Sequence, residues 1–534
     1  MTSMPTMRDT SGLRATATRD LSAEIPFKDA LMVALAAGLG YGFDAYAVNI
    51  YGLVLPTITA SIGIGSKTAG VIGSIFLVGY TLGTIGFGIA ADRYGRRDTL
   101  GVSILMYGVT TSLGGLTTNV VWFTVMRFLT GVGGAGELAV GAPYTCEMFK
   151  SRYRALGTGG IMFSLYSLGY ILAGLAALYL VPRWGWQAAF LVAVIPAVAV
   201  FMFRRICQES VRYVIDKAED KFDAAKAVMS AEHQTTSARE RAELVARIER
   251  AQSDEHERGR GAHDRAPRRT SRQNGAIALA VVAGAVLLFG LLANIPTGLA
   301  AGLVTGSALT ILCALALYST GSATESAFWQ TPEVRRRIGI GWLLYSANAM
   351  GYWGLTVFLT TFMVQKFDVS PSTAIKYAIM FYVAQFFFSY LGTGLSDWIG
   401  RRPAGLLGAV IMIVTTILAA TAHQLGVFLV FGAIQIAMLG WLWGVSDTYL
   451  SEMFPTSIRG SCFGIGVGGG RVMSIAAPFL TGAGIAAFGP TTPFLASAGL
   501  WVLTIIGYLL GPETSGKPLE QIEVEFNAAA ASRG

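Results

Sequence analysis

The sequence predicts an all-α polytopic membrane protein: two pseudo-symmetric six-helix bundles with an inserted two-helix hairpin. Three observations lead to this prediction, namely an apolar composition, a series of long hydrophobic runs and an internal repeat. Of 534 residues, 53% are hydrophobic and only 13% are charged, whereas a soluble domain carries about 25% charged residues. The composition excludes a single water-soluble globule, and it also excludes a disordered chain, which would be poor in apolar residues.

The hydrophobic runs predict fourteen transmembrane helices, because one helical crossing needs about 20 apolar residues. The runs lie at 30–53, 68–91, 98–116, 120–145, 156–181, 187–204, 276–294, 299–319, 338–363, 375–396, 403–421, 425–446, 461–483 and 492–511. The seventh and eighth form the hairpin, since the 52 residues between Arg272 and Glu325 carry no charge and are too many for one crossing. A segment lying on the membrane surface is the alternative for this stretch.

Basic residues predict the orientation, because Lys and Arg concentrate in cytoplasmic loops. With the N-terminus inside, 34 of the 40 fall in inner loops and tails, sixteen of them between residues 204 and 272. Lys67, Arg183, Lys366 and Lys376 fall outside, and Arg127 and Arg471 lie within spans. We therefore expect a multi-pass protein of the cell membrane with both termini in the cytoplasm. The net charge of +8 is then a property of inner loops rather than a sign of nucleic-acid binding.

An internal repeat relates the two halves of the chain. Asp92, Gly95, Arg96 and Arg97 recur 305 residues later as Asp397, Gly400, Arg401 and Arg402. At the same offset, Glu147 and Arg154 recur as Glu452 and Arg459. The repeat predicts a cytoplasmic tail (1–28), an N-terminal six-helix bundle (29–205), a cytoplasmic linker (206–274), the transmembrane hairpin (275–320), a C-terminal six-helix bundle (333–511) and a second tail (512–534).

These motifs resemble those of the major facilitator superfamily. Its loop pattern Gly-x-x-x-Asp-Arg/Lys-x-Gly-Arg/Lys-Arg/Lys is filled from Gly88 to Arg97, and Arg127-Phe-Leu-Thr-Gly131 looks like its fourth-helix motif. Pro512-Glu-Thr-Ser-Gly516 is similar to the end of a half in the sugar-porter-like branch, whereas Gln208 departs from the usual proline. Gly42-Phe-Asp44 and Gly470-Arg471 look like the aromatic-acid and nicotinate proton symporters within that branch.

The resemblance implies a secondary active transporter that works by alternating access and couples protons to a small organic anion, such as an aromatic or other carboxylate. A proton-coupled exporter of drugs or metabolites is the first alternative, followed by symport of a sugar, polyol or phosphate. A membrane receptor that kept the fold without transporting is a different class. The glutamine pair that is typical of sugar porters is absent from Tyr345-Ser-Ala-Asn348, and this absence makes a sugar the less favoured substrate.

Four ionisable residues lie within the predicted spans, and such groups are functional candidates because they are costly in a membrane. Asp44 and Glu137 are the candidates for the proton site, since a carboxyl group that alternates between burial and a nearby cation can load and release a proton. The alternative for either acid is a static ion pair between helices. Arg127 is the third proton-coupling candidate, or it extends toward the outer surface. Arg471 is a candidate anchor for a carboxylate, because guanidinium binds carboxylate with two hydrogen bonds.

Aromatic and amide side chains supply the remaining substrate-binding candidates, although packing or lipid contact is the alternative for each. They are Tyr46, Asn49, Tyr166, Tyr345, Asn348, Trp353, Phe387 and Trp441. Asp447 is expected near the inner end of its helix, as part of the cytoplasmic network of charges.

The charges of the repeated loops predict a cytoplasmic latch, in which ion pairs between the halves form when the inner side is closed. Its members are Asp92, Arg93, Arg96, Arg97, Glu147, Arg154, Asp397, Arg401, Arg402, Glu452 and Arg459. Positive-inside topology alone explains the arginines but not the acids.

Neither an enzyme nor a cofactor is predicted. No glycine-rich loop is followed by Lys-Ser/Thr, and the cysteines and histidines lack the spacing of metal ligands. The expected partners are a small-molecule substrate, protons and membrane lipid, with no nucleic acid, and the chain is expected to act as a monomer driven by the proton gradient.

Overall fold

The computed structural model describes residues 25–64, 66–205, 207–210, 213, 331–356, 358–475 and 477–533. Within these ranges the regular structure is helical. The first half contains α1 (Phe27–Ile62), α2 (Ser66–Tyr94), α3 (Arg96–Gly115), α4 (Val120–Met148), α5 (Phe163–Tyr179), α6 (Val181–Leu191) and α7 (Val194–Arg204). A 3₁₀ turn (Ser151–Tyr153) and a π-helix (Leu156–Met162) precede α5.

The second half contains α8 (Pro332–Leu355), α9 (Leu359–Phe367), α10 (Pro371–Ile399), α11 (Arg401–Thr421), α12 (Leu425–Glu452), α13 (Arg459–Ser474), α14 (Ala477–Phe488), α15 (Thr491–Ser497), α16 (Trp501–Leu510) and α17 (Leu519–Arg533). Two further 3₁₀ turns lie at Thr456–Ile458 and Ala498–Leu500.

The predicted spans agree with these helices wherever the structure describes them. Each of the runs outside 276–319 falls on a helix or on two helices that follow each other directly. In the described part of the chain, eight helices are long and apolar enough to cross a membrane. The all-α prediction is therefore confirmed for these residues, and the chain has the character of a multi-pass membrane protein. The hairpin at 275–320 and most of the linker at 206–274 lie outside the described residues, so the count of fourteen stays a prediction.

Local sequence explains several helix starts. The Asn119 side chain accepts hydrogen bonds from the backbone N–H groups of Val121 (2.9 Å) and Trp122 (3.1 Å), which caps α4. Ser370 caps α10 in the same way, and Pro371 occupies its first turn. These caps satisfy amide groups that the first turn of a helix leaves without a partner.

Two glycines that are related by the repeat make sharp turns between helices. Gly95 lies between α2 and α3 with φ of 97°, and Gly400 lies between α10 and α11 with φ of 106°. Glycine adopts this backbone region without the penalty that other residues incur. The turn also admits a carboxylate, because a Cβ atom on Gly95 would lie 2.5 Å from an oxygen of Glu209.

The two groups of helices meet along a seam formed mainly by α2 against α13 and α5 against α10. Glycines allow the backbones to approach closely there, as small residues do in membrane helices. A Cβ atom on Gly88 would lie 2.5 Å from the carbonyl oxygen of Gly460, and one on Gly159 would lie 2.2 Å from that of Gly444. Gly159 belongs to the π-helix, so the irregular turn lies where the two halves are in contact.

Candidate functional site

The end of the molecule that carries the repeated loops, called here the latch face, has two equivalent carboxylate contacts across the seam. Asp92 accepts hydrogen bonds from the backbone N–H groups of Gly460 (3.1 Å) and Ser461 (2.6 Å) at the start of α13. Asp397 accepts from Ala155 (3.3 Å) and Leu156 (3.1 Å), which are the repeat equivalents of that pair. A carboxylate is stabilised at a helix N-terminus by the free N–H groups and the helix dipole.

Two buried glutamates extend the same network. Glu147 pairs with Arg96 (3.1 Å) in its own half and with Arg459 (2.8 Å) in the other. Glu452 pairs with Arg401 (3.0 Å) in its own half and with Arg154 (3.2 Å) in the other. Each glutamate also accepts a hydroxyl hydrogen bond, from Ser210 and Thr514 respectively. Eight of the predicted latch residues thus form two symmetric groups of charges that link the halves.

Three arginines predicted for the latch do not bridge the halves through their side chains. Arg93 is exposed and lies over the ring of Tyr94. The Arg97 side chain binds Asp98 in the same helix (3.1 Å). Arg402 donates to the carbonyl oxygens of Tyr508 (2.8 Å) and Leu509 (3.0 Å) in its own half. Neighbouring arginines on a helix project in different directions, so these three side chains point away from the other half. Their part in the latch stays a prediction.

The sequence prediction missed two carboxylates that position the arginines. Glu209 accepts from the backbone N–H groups of Arg96 and Arg97, at 3.0 Å each, and Glu513 accepts from those of Arg401 (2.9 Å) and Arg402 (3.0 Å). Burial raises the pKa of Glu209, whereas the backbone hydrogen bonds act in the opposite direction. The repeat contained this signal, because Glu209 and Glu513 are 304 residues apart.

Asp44 lies fully buried at mid-helix in α1. The Tyr80 hydroxyl donates to its Oδ2 at 2.6 Å, whereas Oδ1 has no hydrogen-bond partner. In the described part of the chain no cation lies within ion-pair distance of this carboxyl group. Gly134 provides the space, since a Cβ atom there would lie 1.9 Å from Oδ1.

Arg471 is buried beside the same tyrosine, across the seam. Its guanidinium lies 4.3 Å from the ring centroid of Tyr80 and 5.8 Å from that of Trp443, and Nη1 donates to the Thr84 hydroxyl at 3.3 Å. Stacking on aromatic faces is favourable for guanidinium. The contacts leave Arg471 without a carboxylate partner among the described residues, although Asp44 and Asp447 both lie within its electrostatic range.

Asp447 is buried in α12 and accepts a hydrogen bond from the Tyr345 hydroxyl. The expectation that it joins the charges at the inner end was wrong, because none of the latch residues contacts it. Tyr345 also packs edge-on against Trp443, with ring centroids 5.6 Å apart. Asn348, one turn further along α8, donates to the Ser446 hydroxyl at 3.2 Å, and its Oδ1 has no partner.

Aromatic side chains close the centre between the halves. The Tyr166 hydroxyl donates to that of Tyr352 (3.1 Å), which donates to Asn49 Oδ1 (3.1 Å). Phe163 stacks on Trp443 across the seam with centroids 6.0 Å apart, and Tyr170 stacks on Tyr382 at 3.6 Å. Trp353 lies at the edge of this cluster, 6.2 Å from Phe76. Tyr166, Tyr345, Asn49, Asn348 and Trp353 are thus brought to the region predicted for substrate.

Three other substrate candidates lie elsewhere. The Tyr46 hydroxyl donates to the Ala189 carbonyl (2.6 Å) within the first half. Trp441 of α12 packs against Gly392 of α10 and Gly408 of α11, and it donates to the Ala404 carbonyl (3.0 Å). Phe387 is 63% exposed, on the face of α10 that points away from the seam. A helix that is apolar on all sides gives no sequence signal for its inner face, so the sequence could not place these three side chains. Their role in substrate binding stays a prediction.

Glu137 forms a buried ion pair with Arg204, which the charge count had placed among the basic residues of the inner loops. Arg204 also donates to the carbonyl oxygens of Leu100 (2.7 Å) and Ala36 (3.2 Å), and Gly40 leaves room for the pair. This arrangement matches the alternative of a static pair between helices. Glu137 as a proton site stays a prediction.

Arg127 is buried and does not extend to the outer surface. Its Nη1 donates to the Ala47 carbonyl at 2.9 Å, and its guanidinium lies over the rings of Phe76 (4.4 Å) and Tyr51 (4.9 Å). It lies within electrostatic range of Asp44 but makes no ion pair with it.

Comparison with known families decides the membership of this chain. The family described as Major Facilitator Superfamily matches residues 37–329, and the family described as Sugar (and other) transporter matches residues 306–526. The chain belongs to the major facilitator superfamily. It is accordingly a transporter of this type, and the family and the relatives named below are transporters rather than enzymes.

Two curated relatives align over nearly their whole length. The chain is 24% identical to the niacin transporter NiaP of Acinetobacter baylyi, over 91% of this chain and 94% of that protein. It is 25% identical to the probable 4-methylmuconolactone transporter of Cupriavidus pinatubonensis, over 92% and 93% respectively. Among solved structures, the proton:xylose symporter XylE bound to 6-bromo-6-deoxy-D-glucose matches with a TM-score of 0.66 at 19% identity, over 93% of this chain and 98% of that one. This likeness supports the fold.

Proposed function

We propose that the protein is a proton-coupled symporter of a small organic anion, with an aromatic monocarboxylate as the favoured substrate class. The observation that carries the proposal is the position of Arg471, a buried cation that stacks on Tyr80 and has no carboxylate partner within the described part of the chain. A substrate carboxylate can bind such a guanidinium with two hydrogen bonds. The relatives named for niacin and 4-methylmuconolactone transport support an organic substrate.

Aromatic residues around Arg471 suit a ring attached to that carboxylate. Trp443 lies 5.8 Å from the guanidinium, and Phe163 of the first half and Tyr345 of the second half both pack against Trp443. Aromatic rings pair favourably in offset or edge-on arrangements. In alternating access, the halves that carry these residues move apart on one side of the membrane at a time. Binding of the substrate ring would bring the aromatic residues of the two halves together again.

Asp44 is the proposed proton site. A carboxyl group that no cation neutralises can change its charge by taking up a proton, whereas one held by arginine stays ionised. Tyr80 connects the two functions, because its hydroxyl binds Asp44 and its ring lies against Arg471. The latch residues complete the proposal: their contacts stabilise the state closed at the latch face, which we infer to be cytoplasmic.

Transport by the purified protein in liposomes tests this function. With an inward proton gradient, we expect concentrative uptake of radiolabelled nicotinate or benzoate that an uncoupler abolishes, and no comparable uptake of xylose or phosphate. Arg471→Gln should lose carboxylate binding and Arg471→Lys should lose most of it, whereas the matched control Arg93→Gln on the exposed surface should not. Driven uptake of a sugar instead of a carboxylate would contradict the proposed substrate class. Uptake that occurs only in exchange for protons leaving the liposome would favour an exporter.

A further inference from the structure

The centre of the molecule contains a second buried acid that the proposed mechanism has not used. Asp447 is 1% exposed and lies in the second half, whereas Asp44 lies in the first. Each acid accepts a hydrogen bond from a tyrosine of another helix, Tyr80 for Asp44 and Tyr345 for Asp447. Neither acid has an ion pair in the described residues, which distinguishes both from Glu137.

Arg471 lies between these two acids in the hydrogen-bonded and aromatic network. On one side Tyr80 contacts its guanidinium and binds Asp44, and on the other side Trp443 contacts its guanidinium and packs against Tyr345. The groups that face Asp447 are Tyr345 of α8, Arg471 of α13, Tyr508 of α16 and Tyr41 of α1. Among them Arg471 is the charged one, so it is the counter-ion available to Asp447.

A substrate anion on Arg471 removes that counter-ion. If Asp447 stayed ionised, the site would then hold two negative groups for one cation in a water-poor interior, where an uncompensated charge costs several kcal/mol. Uptake of a proton by Asp447 removes the conflict. Asp44 has Arg127 as a second cation within electrostatic range, whereas Arg471 is the cation found near Asp447 among the residues that the structure describes.

We propose that Asp447 is a second proton-binding residue, so that each cycle carries two protons, one on Asp44 and one on Asp447, with one monocarboxylate anion. The inference rests on the proposed symport. Protonation of Asp447 frees Arg471 for the substrate, and deprotonation after release returns the arginine to the acid. One positive charge then moves per cycle, so transport responds to membrane potential.

Equilibrium accumulation measures the number of protons. In liposomes with no membrane potential and a pH difference of about one unit, two protons give about a hundredfold accumulation of nicotinate, or of the monocarboxylate with the fastest uptake, and one proton gives about tenfold. A potassium–valinomycin potential, negative inside, should increase uptake further only if more than one proton accompanies the anion.

Substitutions assign the second proton. Asp447→Asn should reduce the accumulation to about tenfold and remove the response to potential, while nicotinate exchange at equal pH continues. Asp44→Asn/Asp447→Asn should only equilibrate the substrate, and Asp98→Asn on the surface should match the wild type. Asp447→Ser also removes the carboxyl group and provides a second variant if Asp447→Asn folds poorly, whereas Asp447→Glu keeps a carboxyl group and should keep both protons.

The possible outcomes separate this inference from the proposed function. The wild type could show uptake that depends on the proton gradient, with an accumulation ratio of about tenfold per pH unit and no response to membrane potential. This result would overturn the second proton and leave the proposed symport intact. An unchanged hundredfold accumulation in Asp447→Asn would exclude this residue as the site. Absence of acid-driven uptake for every carboxylate would overturn both proposals.

Discussion

The latch face and the centre of the molecule both bury acids and arginines, but they pair them differently. At the latch face, Glu147 and Glu452 each have two arginines within 3.2 Å, one from each half. At the centre, Asp44 and Asp447 are bonded to tyrosine hydroxyls, and Arg471 lies on aromatic rings instead of a carboxylate. Paired charges suit a structural contact that forms or breaks as a unit. Unpaired acids and an unpaired cation can exchange partners with protons and substrate.

The Glu137–Arg204 pair offers the strongest test of this comparison, because Glu137 is an ion-paired acid close to the central acids that have no ion pair. Glu137→Ala leaves Arg204 buried without its partner, and breaking such a pair costs about 3–5 kcal/mol of stability. Thermal unfolding of the detergent-solubilised protein should show this loss, with Asp98→Ala as a surface control. Full stability of Glu137→Ala would mean that the pair is not structural.

Asp92→Asn should weaken the latch with the next largest effect. The change removes a charged acceptor from the start of α13, and hydrogen bonds to charged groups contribute about 1.5–3 kcal/mol. The equilibrium should therefore shift toward the state open at the latch face by at least about tenfold. Cys462 is fully buried next to Ser461, so its rate of maleimide labelling reports the opening.

Cys313 and Cys146 are first replaced by alanine in that experiment, because Cys146 lies beside Glu147 and packs against Leu519 of the second half. The buried Cys207, whose contacts lie within the first half, is the internal reference. Asp397→Asn, the equivalent change in the second half, should expose the π-helix start in the same way, because Asp397 binds Ala155 and Leu156. Equal labelling of Cys462 in the wild type and in Asp92→Asn would contradict the latch.

Asp44→Asn and Glu137→Gln should separate the unpaired acid from the paired one in transport. Asparagine cannot take up the proton, so the accumulation ratio at a pH difference of one unit should fall about tenfold, equivalent to about 1.4 kcal/mol. Exchange at equal pH should continue. Glu137→Gln should leave the ratio unchanged even where its uptake rate is lower, and a reduced ratio in that variant would restore Glu137 as a proton site.

Trp443→Ala should have a smaller effect, confined to binding. Loss of the ring beside Arg471 and Phe163 should weaken affinity for an aromatic carboxylate by about 0.5–1.5 kcal/mol, because aromatic pairs contribute about this much beyond buried area. Titration of benzoate and of an aliphatic acid would show whether the loss is specific to the ring. Phe387→Ala, on the exposed face of α10, is the matched control and should bind normally. Equal loss for both acids would place Trp443 outside the ring site.

Much of the architecture was predictable from one-dimensional signals. Hydrophobic runs located the helices of the described residues because every crossing needs a minimum apolar length. The constant offset of the repeat identified equivalent positions. Asp92 and Asp397 are such a pair, because each accepts backbone hydrogen bonds from the first residues of a helical segment in the other half. Asp44, Arg127 and Arg471 were identifiable because an ionisable residue in an apolar run needs a specific reason to be there.

The direction in which each side chain points, and the partner of each charged residue, could be known only from the tertiary structure. Trp441 and Trp443 lie two residues apart in an apolar helix, so only packing determines that Trp441 fits against α10 and α11 while Trp443 faces Arg471. Arg204 counted as an inner-loop charge, although the fold places it beside Glu137. Asp447 was expected among the charges at the inner end of its helix, although its partner is Tyr345. The sequence by itself determined where charge occurs in the membrane. The tertiary structure decided which charges are neutralised, because pairing depends on contacts between helices that are distant in the chain.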